Sequence, residues 1–351
     1  MQLSQCKILI ISNMGPKPSA PFQGKFVHNQ VWALAKLNPA YHYMRWHSDS
    51  LLNKLLKYPV FLFSFIWRFV ISRQRYDIAH IHFFYPTIWL ALVYKFCRNR
   101  NLKIVVTCHG SDIYKYQPPS KLYRWCAKQV DQWIFASSAL EQHFSLPKAN
   151  SKVLAAGIHE SFRQAEQVTW QDKTIDLLYV GSLDENKGMD RLLAMLPYLT
   201  DKHVVIAGSG PWLSRLQTAA TEFSNVLVVG PKNSSALKQL YQQSRYLINL
   251  SRNEAFGLVM TEAMCCYTPV IASFTDGAQE QVQNGVNGVL LSATDSEQQW
   301  LANATAIIQR LWQLPPEQYQ RLQQQARTSA EPYLLKNIAE QLETVYQRVV
   351  L

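Results

Sequence analysis

The chain has 351 residues, 48% of them hydrophobic and 17% charged, with a formal net charge of +11. This length accommodates two domains, each with its own core, and the composition excludes a disordered or fibrous chain. Six cysteines without a Cys-x-x-Cys pair argue against a disulfide framework or a zinc site. No basic-then-apolar leader opens the chain, so a reducing cytoplasm is the expected setting.

Residues 1–165 hold 21 Lys and Arg against 6 Asp and Glu, a balance of +15 that leaves −4 for the remainder. A basic front half points to nucleic acid or an anionic membrane surface. The chain shows no known nucleic-acid module, and its basic residues are spread over a whole domain, so no nucleic-acid partner is expected.

In chain order, residues 7–12 read as a buried strand. They are followed by the glycine loop Phe22-Gln23-Gly24-Lys25-Phe26 and a helix over 26–37. Gly24 lets backbone N–H groups approach a phosphate, although a lone glycine loop is nonspecific. Residues 54–75 hold an apolar core of about ten residues between basic flanks, while a membrane-spanning helix needs roughly 20. The segment reads either as an interfacial helix with aromatic anchors or as a buried helix with basic ends.

Strands follow at 77–82, 103–107 and 132–136, with helices at 87–97 and from Ser138. His109 closes one of these strands and is expected to project into the crevice where open parallel sheets bind ligands. His80 reads as a core residue, and His28 and His82 stay unassigned. Residues 159–174 are polar without periodicity and read as an interdomain linker.

The alternation restarts with strands at 176–180, 204–207, 226–229, 246–250 and 269–272. Short apolar runs alternating with helices imply a parallel sheet covered on both faces. The expected fold class is α/β, with two Rossmann-like domains facing across a cleft. The expected domains are 1–165 and 166–330. Residues 331–351 form a final amphipathic helix, with Ile338, Leu342, Val345 and Val349 on one face.

Two glutamates eight residues apart, Glu254 and Glu262, carry the sharpest signal. Glu254 sits on a strand-to-helix loop and Glu262 is expected about two turns into the helix. Between them Phe256, Gly257 and Leu258 present free N–H groups at a helix N-terminus, a ready anion site. Carboxylates on either side of an anion site suit a sugar nucleotide. The loop 181–188 also joins a strand to a helix, and Lys187 on it can reach a phosphate at the neighbouring helix end. Gly208 allows close backbone approach or simply a tight turn. Glu280 either contacts ligand or orients its loop, and Asn-Gly pairs at 284–285 and 287–288 make tight turns. No Asp-x-Asp sequence occurs, so a divalent ion clamped on a diphosphate is not expected, and no metal or other cofactor is assigned.

Together, the two Rossmann-like halves, the Glu254–Glu262 element, the 181–188 loop and His109-Gly110 resemble glycosyltransferase family 4, retaining enzymes of the GT-B fold. The resemblance implies transfer of a hexose from a UDP- or GDP-sugar to a saccharide or lipid-linked acceptor in polysaccharide or glycoconjugate assembly. It implies that Glu254 positions the donor hexose and Lys187 neutralises the leaving diphosphate, while His109 lines the sugar pocket. Gly24, Ser182 and Pro231 would lie by the phosphates and base, Phe256, Gly257 and Leu258 would meet sugar and phosphate, and Glu262 would bind the ribose. The expected location is the cytoplasm, peripheral at the inner face of the plasma membrane through residues 54–75.

The chain departs from the family pattern where Ser182 stands for the usual arginine, Tyr267 for a glycine, and Ala156-Gly157-Ile158-His159 for Asn-Gly-x-Asp. Lys17, Lys25, Lys232 and Arg252 are candidates to replace the missing cation. A second reading is therefore a catalytically impaired subunit or binding protein that keeps the fold.

Overall fold

The computed structural model describes residues 3–16, 23–45, 50–292 and 296–351. Lys17, Phe22 and the Lys54 side chain lie outside the described portion. The chain divides into two compact units, Met1–Gly157 with Leu335–Leu351, and Ile158–Leu334.

Unit 1 is built on six parallel strands: β1 (Ile8–Ser12), β2 (Ala40–Tyr43), β3 (Ile78–His82), β4 (Lys103–Cys108), β5 (Gln132–Phe135) and β6 (Ser151–Val153). Their order is β2-β1-β3-β4-β5-β6. Every residue of β1 and β3 is buried, as expected of central strands covered on both faces. The helices are α1 (Lys25–Ala33), α2 (Leu51–Phe65), α3 (Phe84–Cys97), α4 (Ser111–Tyr114), α5 (Lys121–Ala127) and α6 (Ser138–His143). Ser50, Ser120 and Ser137 start α2, α5 and α6 by accepting the backbone N–H three residues on. The chain's last helix, Leu335–Val350, belongs to this unit. Its Ile338, Leu342, Val345 and Tyr346 are buried with Ile8, Ile10, Ile78, Val105 and Ile134.

Unit 2 repeats the plan with β7 (Ile175–Ser182), β8 (Val204–Ser209), β9 (Val226–Val228), β10 (Ser244–Asn249), β11 (Val270–Ser273) and β12 (Gly288–Leu291). These are parallel and ordered β12-β11-β10-β7-β8-β9. Its helices are α7 (Met189–Met195), α8 (Leu213–Glu222), α9 (Ser234–Gln243), α10 (Leu258–Cys265), α11 (Asp276–Gln281), α12 (Glu297–Leu311) and α13 (Pro316–Ala330). Apolar clusters lie on both faces of the sheet.

The units part at Gly157, eight residues before the expected boundary at 165, and again at Leu334. The segment read as a linker is not loose: Glu160–Gln164 forms a 3-10 turn, and Phe162 is buried against Tyr241 at a ring distance of 6.0 Å. That contact draws the segment into unit 2. Three strands had no counterpart in the sequence reading: β2, β6 and β12. All three are sheet edges and largely half-exposed, so they lack the continuous apolar run that marks a central strand.

Candidate functional site

In unit 2 the strand order reverses between β7 and β10, its first and fourth strands. Ligands of open parallel sheets bind beyond the carboxyl ends at such a switch point. The β7 loop carries Lys187 and the β10 loop carries Glu254. The Lys187 ammonium donates to the Glu254 carboxylate, in a pair whose side chains are only 25% and 16% exposed. The loops are laced by backbone as well: Arg252 N–H donates to the Asn186 carbonyl at 2.7 Å, and the Asn186 and Asn253 side chains bond across at 3.1 and 3.2 Å. Gly188 has φ of +73°, and a Cβ there would stand 2.2 Å from the Leu250 carbonyl oxygen. The two loops meet this closely only because the position lacks a side chain.

α10 begins at Leu258 behind Gly257, whose φ of +83° stops the helix from starting earlier. Glu262 therefore lies a little over one turn into the helix, not two. No side chain caps α10, so its first N–H groups present a partial positive charge. The preceding loop is braced from behind. Gly277 N–H donates to the Glu254 carbonyl at 2.8 Å, and Gln281, itself bonded by the Thr261 hydroxyl, donates to the Phe256 carbonyl. Phe256 is buried and packs on Tyr333 at 5.1 Å. The Tyr241 hydroxyl donates to the Glu262 carboxylate at 3.0 Å.

Ser182 ends β7 with an exposed side chain, and its carbonyl accepts the Tyr179 hydroxyl at 2.7 Å. Burial first, and then the nearby Asp184 and Glu254 charges, push the Tyr179 phenol well above its ordinary pKa. Pro231 is exposed beyond β9, next to Gly230, whose carbonyl accepts Gly208 N–H at 3.1 Å. Of the candidate replacement cations, Arg252 is committed elsewhere: it is bidentate to Asp190 at 2.8 and 2.6 Å and bonds the Glu185 carbonyl at 2.7 Å.

Gly208 serves the fold. A Cβ on it would fall 1.9 Å from the Gly181 carbonyl oxygen, a backbone atom of the neighbouring strand. Gly208→Ala is expected to destabilise unit 2 by about 2–4 kcal/mol through this overlap. Urea unfolding followed by far-UV circular dichroism measures it, and an unchanged midpoint overturns the assignment.

In unit 1 the strand order reverses between β1 and β3. Gly24 follows β1 with φ of +63°, and a Cβ on it would meet the Met14 and Gly15 backbone at 2.9 Å. It opens α1, whose Phe26 packs edge-on against His109 at 5.0 Å, so the glycine loop and His109 come together. His109 is enclosed by Phe83 at 4.5 Å and by His82, whose Nδ1 lies 3.1 Å from His109 Nε2. Burial lowers the His109 pKa to about 3, so the ring is neutral at physiological pH. Asp112 holds this corner by accepting His109 N–H at 3.0 Å and Phe84 N–H at 2.8 Å. Phe83, between them, has φ of +66°, a strained value for a non-glycine residue. His80 is a core residue, bonded to Tyr346 at 2.6 Å and Thr107 at 2.7 Å.

The sequence reading did not find Tyr241, Gln281, Thr261, Asp112 or the His82 contact. Tyr241, Gln281, Thr261 and His82 reach partners 20 or more positions away, and Asp112, which accepts His109 N–H three residues back, also holds Phe84 N–H 28 positions away, so little local in the sequence marks these roles. Among the described residues no group of three or more His, Cys, Asp or Glu could hold a metal ion.

The family described as "Glycosyl transferases group 1" matches residues 160–329, and "Glycosyltransferase Family 4" matches residues 25–160. The chain belongs to glycosyltransferase family 4. It is 27% identical over 303 residues to the N-acetyl-alpha-D-glucosaminyl L-malate synthase of Bacillus anthracis, covering 80% of this chain and 77% of that one. It is also 27% identical over 254 residues to an uncharacterised glycosyltransferase of Methanocaldococcus jannaschii, spanning 63% of each.

The family's two-domain GT-B fold is seen in sucrose-phosphate synthase from Thermosynechococcus elongatus, with a TM-score of 0.76 at 19% identity over 98% of this chain and 99% of that one. HepE of Anabaena, solved in complex with UDP-glucose, superposes with a TM-score of 0.71 at 16% identity, over 98% of this chain and 100% of that one. As a family 4 transferase, the chain carries the group 1 match on the unit that holds Lys187, Glu254 and α10.

Proposed function

We propose that this family 4 protein is a retaining hexosyltransferase, taking a hexose from a nucleotide-diphosphate sugar to a saccharide or lipid-linked acceptor in polysaccharide or glycoconjugate assembly. The observation that carries this reading is the Lys187–Glu254 pair at the β7/β10 switch point, beside the uncapped start of α10. In this reading the donor diphosphate meets the N–H groups of Phe256, Gly257 and Leu258. Lys187 neutralises the charge that grows on the departing phosphate, Glu254 positions the sugar, and Glu262 takes the ribose hydroxyls. Ser182 and Pro231 border the phosphates and base. His109, a neutral imidazole, and the Gly24 loop serve the sugar and acceptor, as the family resemblance implies.

The bond from the anomeric carbon to the phosphate breaks and the acceptor oxygen bonds the same face. The acceptor proton passes to a phosphate oxygen. The scheme uses no metal: lysine and backbone dipoles carry the neutralisation. HepE is known with UDP and UDP-glucose, which favours a uridine donor over a guanosine one. Unit 1 takes the acceptor in the cytoplasm, at a membrane surface met through residues 54–75. Among the described residues no helix is long and apolar enough to cross a membrane.

Thermal unfolding with UDP, GDP and ADP tests the donor site. A nucleotide at about 100 times its Kd stabilises the native state by about 2.7 kcal/mol, which raises Tm by several degrees. UDP is expected to give the largest shift. If no nucleotide shifts Tm and no donor is hydrolysed or transferred, the impaired-subunit reading prompted by Ser182 and Tyr267 replaces this one.

A further inference from the structure

The α2 segment and the π-turn Ile66–Val70 that continues it carry two apolar faces. Phe61, Phe65 and Phe69 point inward and pack around His42, with ring distances of 4.8, 5.4 and 5.4 Å. Leu52, Leu55, Leu56, Val60, Phe63, Trp67 and Ile71 fall on one side of the helix and face outward, with Phe63 69% and Trp67 77% exposed. The inward face satisfies the core, so the outward one has no partner within the described fold.

Along the edge of this helix, against β2, lies a cavity of about 270 Å³. Arg45, Lys57 and Arg68 line it with Ser64, Tyr41 and Tyr43, and no carboxylate does so among the described residues. The Tyr41 hydroxyl is buried without a hydrogen-bond partner. His42, also in the lining, is kept neutral by burial, its pKa lowered to about 4, so the cavity's charge at neutral pH comes from the three cations. Sites for drug-sized ligands run to roughly 300–1,000 Å³, so this cavity suits a phosphate with a few attached atoms better than a whole nucleotide.

We infer that this cavity seats the anionic phosphate headgroup of a membrane lipid while Phe63 and Trp67 enter the interfacial layer beside it. Three lining cations, with no carboxylate among the described lining residues, match an anion, and the outward apolar face next to them places that anion at the depth of a lipid phosphate. The inference deepens the membrane-surface part of the proposed function and is independent of the glycosyl-transfer part.

Vesicle sedimentation tests it with the full chain, using phosphatidylcholine alone and phosphatidylcholine containing phosphatidic acid. Arg45→Gln/Lys57→Gln/Arg68→Gln removes the cavity charge. Lys115→Gln/Lys121→Gln/Lys128→Gln removes the same charge from exposed positions elsewhere on unit 1, and Phe63→Ser/Trp67→Ser removes the apolar anchor. Circular dichroism checks that each variant folds.

Wild type is expected to prefer the phosphatidic acid vesicles. The cavity variant is expected to lose about fivefold in affinity per cation for those vesicles while keeping its weak binding to phosphatidylcholine. The charge-matched variant is expected to change by less than about threefold, and the Phe63/Trp67 variant to lose both vesicles. Equal losses from the two charge variants, or no loss from the cavity variant, overturn the cavity while leaving membrane docking intact. No binding of wild type to either vesicle overturns the membrane reading itself. Thermal stabilisation by inorganic phosphate, abolished in the cavity variant, without vesicle binding, assigns the cavity to a free anion and overturns the lipid.

Discussion

Lys187→Ala is expected to lower kcat on the preferred nucleotide sugar by about 10²–10³-fold, with a smaller change in KM for the donor. A preorganised donor aimed at developing charge contributes about 2.7–4 kcal/mol to the transition state, and most of that is absent in the ground state. In the proposed scheme the lysine is expected to carry much of the neutralisation. Ser182 supplies no cation at the end of β7, and Arg252 is tied to Asp190 and the Glu185 carbonyl.

The same variant leaves Glu254 largely buried without its partner, at a further expected cost of about 1–2 kcal/mol in unit 2 stability. Glu254→Gln keeps the volume and removes the charge. It is expected to lower turnover while leaving the unfolding midpoint closer to wild type. Steady-state kinetics over UDP- and GDP-sugars, with urea unfolding of each variant, separate the two effects. Wild-type turnover that both variants retain would remove Lys187 and Glu254 from the proposed chemistry.

Acidification from pH 6.5 to about 4 is expected to unfold unit 1 while unit 2 stays folded. Burial lowers the pKa of His42 to about 4 and those of His80 and His109 to about 3, and places His82 well below its ordinary range. All four lie in unit 1. An unfolded histidine takes up its proton near pH 6.5, whereas these folded ones do so far lower. Between those values the unfolded state binds more protons, so stability rises with pH across the window and is lost as pH falls. Above pH 6.5 both states are neutral and the full stability is present.

Each histidine contributes a slope of up to about 1.36 kcal/mol per pH unit. Four give about 5 kcal/mol per unit, against a typical domain stability of 5–15 kcal/mol. Asp112 opposes them: burial raises its carboxyl pKa, so acid favours its folded, protonated form, but it offsets only one proton. The buried Trp133 in unit 1 gives a fluorescence signal for the transition. His42→Phe, which keeps the stack on Phe61, is expected to shift the midpoint to lower pH. A flat stability profile between pH 4 and 6.5 would show that the four rings are not neutral in the folded state.

The legible parts of the site were those encoded locally. Glu254, Gly257 and Glu262 sit within one strand-loop-helix stretch, where residue type, turn chemistry and periodicity point to an anion site together. Lys187 was legible for the same reason, as a lysine just after a strand. Gly208 was ambiguous because a glycine before a turn looks alike whether it serves ligand or packing, and only the 1.9 Å approach to Gly181 decides for packing. Arg252 was a free candidate in sequence and proved engaged, because its partner Asp190 lies 62 positions away.

The sequence by itself determined the two α/β halves, the central strands and the chemical character of the loops. Apolar runs, glycines and charges act within a few residues of where they stand, so they can be read without the fold. Tertiary structure alone decided the strand order that puts Lys187 beside Glu254, the bracing of the Phe256 loop by Gln281 and Gly277, and the enclosure of His109 by Phe26, His82 and Phe83. It also decided which face of α2 is spent on the core. These depend on contacts between residues tens to hundreds of positions apart, formed by hydrophobic burial and backbone pairing that no local pattern records.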